Sequence, residues 1–333
     1  MTYFNPGPKN LITDVPGLLI GNAQSENLKS GVTIVYAEKP FLAGVNVMGG
    51  APGTRETNLL DSDKLIQMVD AIVLSGGSAF GLDAASGVTD ELRKKNQGFP
   101  TPVFPVPIVP SAILYDLNNG GNKNWDINPY RELGIEAFKN ASRTFEIGSA
   151  GAGLGATTSN LKGGLGSASV LLDDGYIVSA LVAVSSVGST VMGGSKHFWA
   201  APFELEGEFG NLGISRTYDS KLSGLSTKKP FKGEATTIGV VATNATLDKA
   251  QATRVAIAAQ DGIARAIFPS HTPFDGDLLF SISTADLKLN DPTFDTLKIG
   301  HAAAQCVARA IARAIYNAEP TDSDTLPCWS QKF

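Results

Sequence analysis

One threonine in this chain stands where a hydroxyl could serve as a nucleophile. The stretch Gly233-Glu234-Ala235-Thr236-Thr237-Ile238-Gly239-Val240-Val241-Ala242-Thr243-Asn244 leaves a lysine-bearing polar loop and enters a run of β-branched residues. Such a run favours a half-buried strand, and Thr236 is its first residue. By itself a Thr at a loop-to-strand junction is an ordinary strand residue. What singles it out lies downstream, where Asp275-Gly276-Asp277 opens another strand after one helix. Two carboxylates brought back to a Thr-led strand could orient and activate its hydroxyl. Residues two apart on an extended segment point to one side, so Asp275 and Asp277 form a pair whose repulsion can raise one pKa. The plain alternative is a solvated turn. A calcium-type loop needs more oxygen ligands than this segment offers.

The elements that must position these residues can be read along the chain. Within 18–50, the segments 31–36 and 43–47 read as short strands. Gly49-Gly50-Ala51-Pro52-Gly53 lacks the Gly-Lys-Ser/Thr ending of a phosphate cradle and reads as a tight crossing beside other backbone. Ala71-Ile72-Val73-Leu74 is a buried strand. Ser75-Gly76-Gly77-Ser78 then leads into a helix that Gly98 and Pro100 end. Ser78 misses the Gly-x-Ser-x-Gly elbow because Phe80 holds the place of the second Gly, so it reads as the helix N-cap. A helix is expected over 130–141. A glycine-rich stretch, 148–166, permits close backbone approach. Two strands follow, joined by Asp173-Asp174-Gly175 as a hairpin. The segment 215–234, with Lys221, Lys228, Lys229 and Lys232, reads as a linker or mobile loop. The Thr236 strand is followed by a helix over 247–268. The last helix, 296–317, carries the stripe Ile299, Ala303, Val307, Ile311 and Ile315, with Arg309 and Arg313 off it. Strands in the middle with flanking helices suggest two stacked sheets covered by helices, although this pattern also allows a mixed open sheet.

Composition narrows the class. Of 333 residues, 43% are hydrophobic and 18% charged, which suits a chain that buries a core rather than a disordered one. Net charge is −5 with no basic block, against nucleic acid or an anionic membrane as partner. Cys306 and Cys328 fit no metal spacing, and Cys306 on an apolar helix face reads as a buried free thiol. His197, His271 and His301 are scattered and form no His-x-x-x-His pair, so neither a metal nor another cofactor is expected. The first residues show neither a basic segment nor an apolar core, and no apolar run reaches about 20 residues. The default expectation is a cytoplasmic protein.

Several separate motifs, in order, carry a family resemblance. They are Gly49-Gly50-Ala51-Pro52-Gly53-Thr54-Arg55-Glu56-Thr57, Ser75-Gly76-Gly77-Ser78-Ala79-Phe80-Gly81-Leu82, Gly151-Ala152-Gly153, Ala235-Thr236-Thr237-Ile238-Gly239-Val240-Val241 and the Asp-Gly-Asp. Together they resemble the self-processing L-aminopeptidase/D-amidase/D-esterase family, which includes β-peptidyl aminopeptidases and the endo-type hydrolase of 6-aminohexanoate (nylon) oligomers. The likeness runs from about residue 12 to about residue 316. It implies an α/β fold, a four-layer αββα sandwich of N-terminal-nucleophile type, in one domain over 1–333 that cuts itself into 1–235 and 236–333. It also implies a homotetramer of processed protomers acting on small amides or peptides.

The chemistry that follows is that of an N-terminal threonine. A neutral hydroxyl needs a base, and an α-amine, which ordinarily titrates at about 7.7–8.0, is one. That amine is made when Thr236 Oγ attacks the Ala235 carbonyl and water hydrolyses the resulting ester. The freed Thr236 then attacks a substrate amide, with Asp275 and Asp277 holding the hydroxyl, the ammonium and a substrate amine. By the resemblance, Tyr115 is the donor to the developing oxyanion. Ser185 and Asn160 stand where the family has Asn and Lys, with Lys162 two residues on, and Ala235 stands where it has Asn. The expected activity is amide hydrolysis of the aminopeptidase or amidase kind. The alternatives are endo-hydrolysis of 6-aminohexanoate oligomers, acyl transfer of the ornithine-acetyltransferase type, and an inactive homologue.

Overall fold

Alternation along the strands builds the architecture. A computed structural model describes residues 4–217 and 235–333. The lysine-bearing segment from Lys221 to Lys232, read above as a mobile loop, lies outside the described residues. In chain order the elements are β1 (Asn5–Pro6), β2 (Leu18–Ser25), β3 (Ser30–Val47), β4 (Thr54–Arg55), β5 (Met68–Ser75), α1 (Ala84–Lys94), β6 (Ser111–Ile113), α2 (Tyr130–Lys139), β7 (Gly164–Leu171), β8 (Ile177–Ser185), β9 (Thr236–Ala245), α3 (Lys249–Ala266), β10 (Leu278–Leu287), α4 (Pro292–Tyr316) and α5 (Trp329–Lys332). The strands pair in the order β1-β7-β8-β9-β10-β3-β5-β6-β4, and β2 also pairs with β3.

The hinge of this sheet is β3. On one edge its residues 42–47 pair with β10 and residues 30–37 with β2, while β5 pairs with residues 32–36 and 41–42. The expectation of separate short strands at 31–36 and 43–47 is therefore corrected. One strand of 18 residues spans both, because its two ends are paired in different halves of the sheet. A register shift between Tyr36 and Phe41 interrupts its ladder with β5, which resumes at Phe41↔Val69 and Leu42↔Met68.

Three hydrophobic cores separate four layers. Ile238, Val240 and Ala242 of β9 face Val35, Ile72 and Leu74 across the space between the two halves of the sheet. Val178, Ala180 and Val182 of β8 and Val241 of β9 instead pack on α3 and α4. On the outer side of the other half, Val32, Ile34 and Val73 pack on α1 and α2. The period of two is the one a strand imposes when both faces are covered. The result is the αββα sandwich, not an open sheet.

Local chemistry sets the helix ends. Asp248 accepts the Gln251 N–H and the Gln251 side chain returns to the Asp248 N–H, a capping box that starts α3. Asp291 accepts from the N–H groups of Thr293 and Phe294, with Pro292 at the first helical position, so α4 begins before residue 296. Its stripe of Ile299, Ala303, Val307, Ile311 and Ile315 is buried as expected. Arg309, off that stripe, is fully buried all the same, with Nε 2.5 Å from Glu208 Oε1 and Nη1 donating to the Ser169 carbonyl at 2.9 Å. A buried guanidinium needs such partners. Close packing of α4 on β7 depends on Gly166, where a Cβ would lie 1.9 Å from the Ala310 carbonyl oxygen. Ser78 is not the expected N-cap either. Gly77 holds that position, without a side-chain cap, and Ser78 follows at φ +52° in a 3-10 turn. Cys306 and Cys328 are both buried free thiols, and burial pushes the Cys306 thiol up to about 12. Among the described residues no helix is long and apolar enough to cross a membrane.

Candidate active site

Strand register brings the site together. Thr236 opens β9 in the middle of the sheet, with β8 antiparallel on one side and β10 parallel on the other. Ser185, the last residue of β8, is its direct cross-strand partner. On the other side, Ala235 bridges Asp275. Thr236 and Ala235 are buried, as are both aspartates.

The Thr236 hydroxyl lies against its own preceding peptide. Oγ1 donates to the Ala235 carbonyl oxygen at 2.5 Å. The Gly276 N–H points at both atoms, 3.2 Å from Thr236 Oγ1 and 3.2 Å from the Ala235 oxygen. The aspartates that flank Gly276 hold the backbone around the threonine. Asp277 Oδ1 accepts the Thr237 N–H at 2.8 Å. Asp275 Oδ1 accepts the Val187 N–H at 3.1 Å, and its Oδ2 accepts from the Thr272 N–H at 3.0 Å and the Thr272 hydroxyl at 2.5 Å. The hydroxyl thus meets the N–H between the two acids, and the carboxylates take the neighbouring amides. Burial raises the Asp275 pKa, and the Asp277 charge raises it further, against the hydrogen bonds from Thr272 and Val187.

The glycine loop supports this turn from beneath. The N–H groups of Met48 and Gly49 donate to the Asp277 carbonyl at 2.9 and 3.0 Å, and the Ala51 N–H donates to the Asp275 carbonyl at 2.9 Å. A Cβ at Gly49 would sit 2.3 Å from the Asp275 oxygen and 2.3 Å from the Asp277 nitrogen. The loop is a backbone crossing, as its composition indicated.

The other residues singled out from sequence reach this centre unequally. The Ser185 hydroxyl is 3.3 Å from the Thr157 carbonyl and 3.5 Å from the Tyr115 carbonyl. Tyr115 therefore arrives from the other half of the sheet, just after β6. Asn160 Oδ1 is 3.4 Å from the hydroxyls of Ser159 and Ser189, and among the described residues none of its hydrogen bonds goes to Thr236. Lys162 is turned to the C-terminal segment, where Nζ donates to the Glu319 carbonyl, Thr321 Oγ1 and Asp324 Oδ2.

Two residues passed over in the sequence belong to this neighbourhood. His271 Nδ1 is 3.0 Å from Asp277 Oδ2. The only signal for it was its place four residues before Asp275. Asp116, beside Tyr115, is buried and accepts from Ser30 Oγ at 2.6 Å and the Gly77 N–H at 2.7 Å. Tyr130 in turn donates to Ser30 at 2.9 Å. Burial pushes the Asp116 carboxyl up to about 6, against those two hydrogen bonds. It ties the segment bearing Tyr115 to the turn after β5.

Comparison with known proteins gives the family of the chain. The model of peptidase family S58 matches residues 10–325. An uncharacterized aminopeptidase of Mycobacterium bovis is 38% identical over 93% of this chain and 95% of its own length. The 6-aminohexanoate-oligomer endohydrolase of Paenarthrobacter ureafaciens is 28% identical over 85% of this chain and 77% of its own. Among solved structures, a β-aminopeptidase from Burkholderia sp. superposes with a TM-score of 0.73 at 20% identity, covering 99% of this chain and 94% of the other. The L-aminopeptidase D-Ala-esterase/amidase of Ochrobactrum anthropi, described as a variant of the Ntn-hydrolase fold, superposes with a TM-score of 0.71 at 23% identity, covering 97% and 92%. With that fold, and with a family match over nearly its whole length, the chain belongs to peptidase family S58 and is an amide-bond hydrolase.

Proposed function

We propose that this protein is a self-processing hydrolase that cuts its own Ala235–Thr236 bond and then uses Thr236 as an N-terminal nucleophile on amides that carry a free amine. The observation that carries the reading is the Thr236 hydroxyl 2.5 Å from the Ala235 carbonyl oxygen, with the Gly276 N–H on the same oxygen. In the self-cut, Oγ1 adds to the Ala235 carbonyl carbon while the Gly276 N–H faces the oxygen that gains charge. One such donor is worth about 2.7–4 kcal/mol of barrier. The C–N bond breaks to an ester and a free Thr236 amine, and water hydrolyses the ester to the Ala235 carboxylate. The same hydroxyl, with that amine as base, then attacks the substrate carbonyl, and water releases the acyl group.

Asp275 and Asp277 hold the new ammonium and the amine of the substrate. Tyr115 and Ser185 line the substrate side, with Tyr115 the donor to the oxyanion. Asn160 lies further out, beside Ser189. Aminopeptidase action on peptides is the first reading, supported by the 38% identical relative named as an aminopeptidase. Hydrolysis of nylon-type linear amides is the second, supported by the 28% identical endohydrolase, and it draws on the same acidic pair. Assembly of processed protomers into a tetramer is part of this proposal.

Intact-mass analysis tests the reading. Wild-type protein should give fragments 1–235 and 236–333, whereas Thr236→Ala should remain one chain and hydrolyse no amide. Active wild-type protein that stays full length would rule out the mechanism.

A further inference from the structure

The acidic turn has a histidine partner that sequence spacing conceals. His271 Nδ1 lies 3.0 Å from Asp277 Oδ2, and the same oxygen accepts the His271 backbone N–H at 3.0 Å. The other oxygen of that carboxylate accepts the Thr237 N–H, one residue beyond Thr236. The His271 side chain is 15% exposed and that of Asp277 2%, so the two groups meet largely out of water, where an ion pair is screened little. Neither ring nitrogen makes an aligned hydrogen bond among the described residues. The groups that act on the ring are acceptors: the Asp277 carboxylate, the Gln260 backbone carbonyl on α3 and, at longer range, the Asp275 charge. An imidazole among acceptors is favoured in its doubly protonated form. Burial works against the imidazolium, yet the Asp277 carboxylate, the Gln260 carbonyl and the Asp275 charge outweigh it and raise the His271 pKa above its ordinary value.

We propose that His271 is a positioning residue of the acidic pair, whose imidazolium pins Asp277 beside Thr236 and sets the net charge that a substrate ammonium meets there. The inference rests on the proposed function. With both carboxylates ionised, Asp275, Asp277 and His271 together carry one negative charge while the ring is protonated and two once it is neutral. A cationic amine is therefore bound more weakly on the acid side of the His271 titration and more tightly above it. An amide without a charged amine feels no such step.

The backbone supplies a suitable variant. His271 sits at φ +53°, a conformation that Asn tolerates better than most residues, so His271→Asn removes the charge with little backbone strain. KM and kcat of processed wild-type and variant protein would be followed from about pH 6 to about pH 9. Two amides of one acyl chain serve as probes, one with a free ω-amine and one N-acetylated; a lysine-like amine, which ordinarily titrates at about 10.4, stays charged throughout. In wild type, KM for the free amine should fall about tenfold as pH rises through the ring titration. The Thr236 amine, which ordinarily titrates at about 7.7–8.0, changes charge in the same window in both proteins, so in His271→Asn the part of the step due to the ring should vanish, and the acetylated amide should show that part in neither protein. Identical pH profiles of KM, or a uniform loss of kcat with an unchanged profile, would overturn the proposal. A second measurement does not depend on activity. In uncut Thr236→Ala protein, NMR of the His271 ring should show protonation persisting above about pH 6.5, the ordinary histidine value, and a ring that is neutral at about pH 6 would also overturn it. If Thr236→Ala itself hydrolysed amides, the nucleophile assignment would fail, while the ring titration would still decide the role of His271.

Discussion

At the scale of single residues, the arrangement around Thr236 is one of hydroxyl, amide and carboxylate, each with a separate task. The hydroxyl contacts the Ala235 carbonyl and the Gly276 N–H, while Asp275 and Asp277 grip the amides of Val187, Thr272 and Thr237. Charge-assisted hydrogen bonds of this kind are worth about 1.5–3 kcal/mol each, which in a transition state is roughly ten- to hundredfold in rate. Asp275→Asn and Asp277→Asn, assayed as fully processed protein, should each lose activity by that factor with circular dichroism unchanged. A solvated turn residue would cost within about 0.5 kcal/mol of stability and leave the rate alone. Wild-type turnover by both variants would reduce the Asp-Gly-Asp to a turn. The same scale shows why His271 escaped a reading by spacing. A lone histidine in a Pro- and Ser-containing turn has no partner until the chain folds.

At the scale of elements, β6 and the turn after β5 are joined by a buried carboxylate, and that link is pH-dependent. The Asp116 carboxyl titrates at about 6 in the folded protein and near 3.9 when unfolded. Between these values the native state binds more protons than the unfolded state, so stability falls as pH rises through this window. At about 1.4 kcal/mol per unit, the contribution amounts to roughly 3 kcal/mol and is complete above about pH 6. Asp116→Asn removes the titration. Urea unfolding in the uncut Thr236→Ala background should therefore show the variant gaining roughly 2–3 kcal/mol relative to its parent between pH 4 and pH 7, about the span of the two titrations. Parallel curves would mean that Asp116 is not the titrating group. Elsewhere the elements follow local rules. Asp248 and Asp291 start their helices, and Arg309 is drawn into the core because Glu208 is there to meet it.

At the scale of the whole molecule, the proposed cut falls in an instructive place. It would leave β9, α3, β10, α4 and α5 on the shorter piece. Yet β9 pairs with β8 from Val178↔Thr243 to Ser185↔Thr236, and β10 pairs with β3 from Leu278↔Val47 to Ser283↔Leu42. The shorter piece thus supplies the middle of the sheet, and α3 and α4 cover one face of it. Fully burying each large aliphatic side chain there contributes about 1.5–3 kcal/mol, and many such side chains cross the boundary between the pieces. Processed protein should therefore elute as one species in size-exclusion chromatography under native conditions and resolve into two only after denaturation. Spontaneous separation of 1–235 from 236–333 without denaturant would contradict this interleaving.

What the sequence determined by itself is whatever repeats at short range or is written in a contiguous motif. The helical stripe from Ile299 to Ile315, the β-branched run after Thr236, the hairpin at Asp173-Asp174-Gly175 and the Asp-Gly-Asp were all legible, because periodicities of 3.6 and 2 and turn chemistry are local properties. The resemblance carried by those motifs pointed to the fold and to the hydrolase family. Tertiary structure alone decided that 31–36 and 43–47 are one strand, since β3 is held at its two ends by different neighbours. It alone set Ser185 opposite Thr236, turned the Gly276 N–H onto the Ala235 carbonyl and laid His271 on Asp277. Strand register and ion pairing between distant segments are settled when cores close and buried charges must find partners, and no local pattern encodes which partner that will be.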